Sequence, residues 1–184
     1  MKDFSKAMPK ITDYIKSLYP EMNPVLLHCP QFLGNEKKYL NECIDTKFVS
    51  YVSHFVTDME EKVKQITGAK HAVAMVNGTE ALHMAIVAAG VKAGEEVISQ
   101  PLTFAATSAV IVNCGAIPVY VDVDRDTMGM SPASLRNFLE GNTKQENGKC
   151  VNKNTGRVIS VCVPMHTFGH PCRIDEIKAI CDEH

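Results

Sequence analysis

An α/β fold built on a mainly parallel sheet with flanking helices is predicted for this chain by two features of the sequence. Short apolar runs near residues 71–76, 97–99, 118–123 and 157–163 alternate with longer stretches whose apolar residues recur at helical spacing. Gly68, Gly90 and Gly115 punctuate the ends of three of those helical stretches. Strands alternating with helices read as βαβ units.

The elements follow in order. Residues 4–19 form a mixed amphipathic stretch closed by Pro20 and Pro24, and a second helix is expected from Glu36 to Ile44 after Gly34-Asn35. Thr46 to Val56 is β-branched and aromatic and reads as extended chain or loop. Asp58 is placed to cap a helix running to Thr67. A strand at 71–76, a helix at 79–90, a strand at Val97–Ser99 and a helix from Phe104 to Asn113 complete the middle of the chain. Pro118 to Val123 reads as the next strand, and Ser131-Pro132 opens a short helix through Leu139. Residues 140–156 are polar and rich in Gly, Asn and Lys, which predicts a surface excursion. Arg157 to Val163 is a buried strand, and Ile174 to His184 starts another helix. The domain division expected from this pattern is residues 1–57 as a helical and extended segment and 58–184 as the sheet domain.

Composition narrows the function classes. The 184 residues can enclose one core, and 45% hydrophobic with 22% charged residues is the balance of a globular protein. A net charge of −2 without basic clustering carries no nucleic-acid footprint. The start M-K-D-F-S-K-A-M-P-K lacks the apolar centre of a signal peptide, and no apolar run approaches membrane-spanning length. Seven cysteines, an odd number without a C-x-x-C pair, predict reduced thiols in a cytoplasm.

The stretch from Val73 to Thr79 carries the most chemistry. It reads as an apolar strand, a Gly turn and a helix that continues through Ala81, Leu82, Ala85, Ile86 and Ala89. Thr79 is the expected N-cap, and the amides of Gly78, Thr79 and Glu80 would face outward at the positive end of the helix dipole. Gly78 admits a ligand close to the backbone, so the turn is suited to a phosphate. Two other readings stand beside it: a Gly turn that binds nothing, and an Asn77-Gly78 hairpin, which the helical spacing after it opposes. Phe104, by its own character, is a core aromatic. Asp122 and Asp124 follow a strand and invite a reading as catalytic carboxylates or metal ligands. Cys162, His166, His170 and Cys172 have spacings a zinc site can use, but Pro164, Gly169 and Pro171 prevent a shared helical face. His28, His54 and His83 have no neighbour in sequence that marks an acid–base role, and His83 is expected on a helix flank. No G-x-G-x-x-G follows a strand, which opposes a nicotinamide-binding reading.

Four segments in order, N-G-T-E-A-L-H-M-A (77–85), P-L-T-F-A-A-T-S-A-V (101–110), G-A-I-P-V-Y-V-D-V-D (115–124) and V-P-M-H-T-F-G-H-P-C-R-I-D-E-I (163–177), resemble the sugar-nucleotide aminotransferases of the DegT/DnrJ/EryC1/StrS family. The segments H-C-P-Q-F-L-G-N-E-K-K-Y (28–39) and D-T-K-F-V-S (45–50) are similar to the subgroup associated with legionaminic acid and related amino sugars. The resemblance covers the chain from about residue 25 onward. It implies the large domain of the type I fold of pyridoxal 5'-phosphate-dependent transferases, present in part over residues 58–184. It implies that Gly78 and Thr79 hold the cofactor phosphate and that Phe104 lies against the pyridine ring. It also makes V-D-V-D at 121–124 a strand-end feature and leaves residues 162–172 without a metal.

The chain departs from the family in two places. The family's Schiff-base lysine and the Asp that pairs with the pyridine nitrogen both lie beyond the segment matching Ile174–Glu183, so no catalytic residue is assigned here, and Lys178 reads as a solvated surface charge. The pattern at Ile174, Ile177, Ala179, Ile180 and Cys181 is still helical when the sequence ends, without a Gly or Asn to close it. Tyr51-Val52-Ser53 has Ser where the family usually has Gly, which puts the local turn in doubt. The strand at 71–76 sits, in that fold, beside strands this chain lacks, so the chain alone is expected to fold poorly or to need a complementing polypeptide.

The function so implied is transfer of an amino group from an amino-acid donor such as glutamate to a keto-sugar nucleotide, in amino-sugar or surface-polysaccharide biosynthesis, by an enzyme that is a homodimer at full length. This chain is expected to be its N-terminal part and inactive alone. A non-catalytic remnant or binding module, and one half of a split enzyme with a separate C-terminal chain, are the competing expectations.

Overall fold

The run Glu96–Ser99 has no exposed residue, and that pattern requires cover on both faces of a sheet. In the computed structural model, which describes residues 4, 5, 7–26 and 29–184, it is strand β1 at the centre of a three-stranded parallel sheet. On one side lies β2 (Ile117–Tyr120), in register Val97↔Pro118 and Ile98↔Val119. On the other lies β5 (Ile159–Val163), in register Val97↔Val161 and Ile98↔Cys162. The alternation of side chains splits β1 between two cores. Ile98 packs with Met130, Leu135, Leu139, Ile177 and Ile180, which come from the chain around helices α6 (Pro132–Asn142) and α7 (Ile174–Glu183). Val97 packs with Ile86, Val110 and Ile111 of helices α4 (Gly78–Ala88) and α5 (Ala105–Asn113). Each such burial is worth about 1.5–3 kcal/mol relative to exposure.

By contacts the chain divides into two units, residues 1–59 and 60–184. The first contains α1 (Ala7–Leu18), α2 (Glu36–Thr46) and the start of α3 (His54–Thr67). Helix α1 is amphipathic through Met8, Ile11, Ile15 and Leu18, and none of its residues is buried. Helix α2 meets the start of α3 through Tyr39 and Phe55, with ring centroids 5.1 Å apart, and through His54 Nε2, 3.6 Å from a Glu42 carboxylate oxygen. Ser53 is buried, its hydroxyl accepting from the Phe55 amide at 3.3 Å, while Tyr51 and Val52 stand in solvent.

Four expectations are corrected. The helix expected to start at Asp58 starts at His54, so the C-terminal part of Thr46–Val56 is helical rather than extended. Residues 71–76 form no strand, because no segment among the described residues supplies a ladder; the Ala74 amide donates instead to Glu60 Oε1 at 2.9 Å, and Val73 and Val76 face solvent. The N-cap of α4 is Asn77, not Thr79: Asn77 Oδ1 accepts from the Glu80 amide at 2.9 Å, which takes Glu80 out of the set of free amides. Residues 140–156 are more than a polar excursion. They contain a hairpin of β3 (Thr143–Glu146) and β4 (Lys149–Asn152), turned at Asn147 (φ 52°) and Gly148 (φ 73°), the left-handed pair that a tight hairpin turn requires.

The hairpin is docked by a buried carboxylate. Glu96, at the start of β1, accepts from Asn152 Nδ2 at 2.8 Å and from Thr155 Oγ1 at 2.7 Å, and both of its oxygens are thereby satisfied. Gly129 allows a close crossing at the other end of the sheet, since a Cβ there would sit 2.5 Å from Cys172 Cβ.

Candidate functional site

In an open parallel sheet the loops at the carboxyl ends of the strands line the ligand-binding edge. Here they are the segments after β1 (100–104), β2 (121–130) and β5 (164–172). Helix α5 leaves from that edge, because it carries the chain back from β1 to the start of parallel β2. Helix α4 shares a core with α5 and delivers the chain to the start of β1, so its own N-terminus turns toward the same edge.

That N-terminus is open. Among the described residues the amides of Gly78 and Thr79 have no acceptor, as expected for the first turn of a helix. A Cβ built on Gly78 would meet nothing within 4 Å. Two amides directed into open space at the positive end of a helix suit a phosphate group. Phe104 is the N-cap residue of α5, with extended backbone (φ −69°, ψ 143°), and the residue is 74% exposed rather than buried in the core. Its position at the end of a packed helix holds an aromatic face toward solvent at the strand-end edge.

The loops are fixed by a residue that sequence reasoning missed. Gln100 is fully buried. Its Nε2 donates to the Leu102 carbonyl at 2.9 Å, to Thr167 Oγ1 at 3.2 Å and to the Met128 carbonyl at 3.3 Å. Its Oε1 accepts from the Met165 amide at 3.1 Å. Thr167 Oγ1 donates in turn to the Met128 carbonyl at 2.8 Å. One amide side chain therefore ties all three strand-end loops together, including the one that ends at Phe104. Only its place between the buried Ile98-Ser99 and Pro101 hinted at this role, and no spacing rule singles out such a Gln.

The remaining candidates have structural partners. Asp124 and Asp126 both pair with the Arg173 guanidinium, Asp126 at 2.5 Å, and this contact holds the Asp126 carboxyl below the usual carboxylate range. The Asp122 carboxylate accepts from the Val123 amide at 2.8 Å. His166 Nδ1 accepts from the Cys172 amide at 3.1 Å, so it closes a loop. Among the described residues no three His, Cys, Asp or Glu side chains are grouped to hold a metal. His83 lies on α4 with Nδ1 4.0 Å from Glu80, and His28 lies outside the described residues. Lys178 is exposed and paired with Asp182 on the same helix. No helix among the described residues is long and apolar enough to cross a membrane.

Comparison with known proteins identifies the family. The sequence profile of the DegT/DnrJ/EryC1/StrS aminotransferase family matches residues 31–184. GDP-perosamine synthase of Vibrio cholerae is 34% identical over 155 residues, which are 84% of this chain and 38% of that protein. EpsN of Bacillus subtilis, named for pyridoxal phosphate-dependent aminotransferase activity, is 30% identical over 160 residues, 87% of this chain and 39% of its own length. An aminotransferase from Psychrobacter cryohalolentis has a crystal structure that superposes with a TM-score of 0.71 at 30% identity, covering 87% of this chain and 37% of that one. This chain thus spans about two-fifths of the length of the curated relatives it matches. With the parallel α/β sheet, the matched residues and the shared fold in agreement, the chain belongs to the DegT/DnrJ/EryC1/StrS aminotransferase family.

Proposed function

We propose that this chain is the N-terminal part of a pyridoxal 5'-phosphate-dependent aminotransferase that moves an amino group from an amino acid, glutamate for preference, to a keto-sugar nucleotide. The observation that carries the reading is the open first turn of α4, with two unpartnered amides and empty space over Gly78, in a chain of this family. The residues present fit the cofactor: Gly78 and Thr79 bind its phosphate through their amides, and Phe104 offers a face to its ring. When bound, the cofactor supplies a carbonyl that takes up the amino group and a ring that withdraws electrons from the neighbouring carbon. Gln100 holds the Leu102 carbonyl and so keeps in place the backbone of the loop that leads to Phe104.

The sugar substrate is a nucleotide sugar by kinship with a GDP-perosamine synthase. The proton-moving lysine and the carboxylate for the ring nitrogen belong, in this reading, to the part of the relatives' length that this chain does not span. A homodimer is the assembly expected of the whole enzyme, and residues 1–57 form its leading segment ahead of the large domain at 58–184.

The test is a titration of the chain with pyridoxal 5'-phosphate, followed by visible circular dichroism and then by borohydride reduction. The expected result is saturable binding that inorganic phosphate competes and Gly78→Val removes, with no single lysine reduced to a covalent adduct. Binding indifferent to Gly78→Val sinks the assignment of the phosphate turn. Stoichiometric reduction onto one lysine overturns the view that the covalent residue lies elsewhere.

A further inference from the structure

Among the described residues, those other than glycine with a left-handed backbone are Lys47, Met128, Asn147 and Phe168. Lys47 follows the end of α2, and Asn147 belongs to the hairpin turn, both common places for it. Met128 (φ 56°) and Phe168 (φ 54°, ψ 24°) are bulky residues standing where glycine would be unstrained. Both lie in strand-end loops, after β2 and after β5. A left-handed backbone costs a residue with a Cβ about 5- to 30-fold in the balance between folded and unfolded chain.

Packing does not compensate that cost at Phe168, because the residue is 81% exposed. Its neighbours enforce the conformation instead. Thr167 is buried, its hydroxyl bonded to the Met128 carbonyl at 2.8 Å and to the Gln100 amide at 3.2 Å. The Gly169 amide donates to the His166 carbonyl at 2.9 Å, and the His170 amide to the Thr167 carbonyl at 3.0 Å. Strain that the surroundings over-determine gathers at ligand sites. This loop also adjoins the one that ends at Phe104, since Thr103 Oγ1 donates to Met165 Sδ at 2.9 Å. The strand-end edge therefore carries two exposed aromatic residues on neighbouring loops.

We propose that Phe168 is a substrate-contacting residue, held in a strained conformation so that its ring stacks on the base of a nucleotide. The proposal rests on the reading above that the substrate is a nucleotide sugar. A base has a flat π-face that an aromatic ring covers without hydrogen bonds, whatever the base. A sugar ring is edged with hydroxyl groups, and a diphosphate is charged; a phenyl ring satisfies neither. The cofactor phosphate has its own place at the first turn of α4.

Two measurements on the whole chain test the proposal. The first is urea unfolding of Phe168→Gly and Phe168→Ala, which both lack the ring and differ in their tolerance of φ 54°. The glycine variant is expected to favour the folded state about 5-fold more than the alanine variant, the relieved backbone outweighing the extra freedom of unfolded glycine. Equal stability would mean that the backbone carries no strain, and overturns the proposal.

The second is equilibrium dialysis with GDP, with pyrophosphate and with GDP-mannose. GDP should bind the native chain and Phe168→Tyr alike, and about 10-fold more weakly to Phe168→Leu and Phe168→Gly. Pyrophosphate binding should be the same in all four chains. No binding of GDP to the native chain overturns the proposal, as does GDP binding indifferent to the leucine and glycine changes. Weakening confined to GDP-mannose would place the sugar, not the base, on the ring, and a loss shared equally by pyrophosphate would place the phosphates there; either overturns it. Failure here leaves the pyridoxal 5'-phosphate titration untouched. Failure of that titration with GDP binding intact sinks the phosphate turn of α4 and not Phe168.

Discussion

The side-chain amide of Gln100 lies 3.2 Å from Thr167 Oγ1, joining the loop after β1 to the loop after β5 across the strand-end edge. Both residues are buried, and both also donate to the Met128 carbonyl in the loop after β2. Replacing Gln100 by Leu leaves the Met165 amide and the Leu102 carbonyl without their partner. The expected loss is about 2–4 kcal/mol of unfolding free energy in urea, since unmet buried polar groups carry their desolvation penalty. A loss under about 0.5 kcal/mol would mean that the loops are held by other contacts.

Asn77 separates helix stability from phosphate binding. Asn77→Ala removes the side-chain acceptor of the Glu80 amide and should destabilise the chain by about 1 kcal/mol, whereas Asn77→Ser retains most of it. Neither change touches the Gly78 or Thr79 amides. Affinity for pyridoxal 5'-phosphate, measured by the same titration, should therefore fall less than for Gly78→Val.

The Glu96 carboxylate tests the docking of the β3–β4 hairpin. Asn152→Ala strips Glu96 Oε2 of its donor inside the protein and should cost about 2–3 kcal/mol in urea unfolding. Coupling Asn152→Ala with Glu96→Gln in a double-mutant cycle should show strong non-additivity, because the two side chains share one hydrogen bond. Simple additivity would deny that contact.

Acid should weaken the chain through two exposed ion pairs. Arg173 depresses the Asp126 carboxyl, and Arg136 depresses that of Glu183. A carboxyl lowered in the folded state contributes stability above its unfolded value and loses it as pH falls through the folded one. The urea midpoint should accordingly drop below about pH 4, and the drop should be shallower in the double variant Arg136→Gln, Arg173→Gln. An unchanged slope would assign the acid sensitivity to other groups.

Gly129 is a steric prediction. Gly129→Ala places a methyl group 2.5 Å from Cys172 Cβ and 3.3 Å from the Met165 carbonyl oxygen, both in packed surroundings. The expected destabilisation is about 1–3 kcal/mol, read from the thermal midpoint. Gly141→Ala, whose new methyl meets nothing within 4 Å, is the control.

What was legible in the sequence was what local chemistry fixes. The helices α5, α6 and α7 and the buried strand β1 follow from apolar spacing, and Ser131-Pro132 marks the start of α6 through capping and a preset φ. The family could be read because its motifs at 77–85, 101–110, 115–124 and 163–177 keep their order and residue types. Tertiary structure decided the rest. Residues 71–76 have the composition of a strand but lack a ladder partner among the described residues, and a strand exists only by pairing. Asn147-Gly148 carried the turn signal, yet polar strands on either side hid the hairpin until Glu96 gave it a buried anchor. Gln100 owes its meaning to groups distant in sequence, brought together only when the loops after β1, β2 and β5 pack. Periodicity and caps are properties of neighbours along the chain, while a hydrogen bond across a core belongs to the fold.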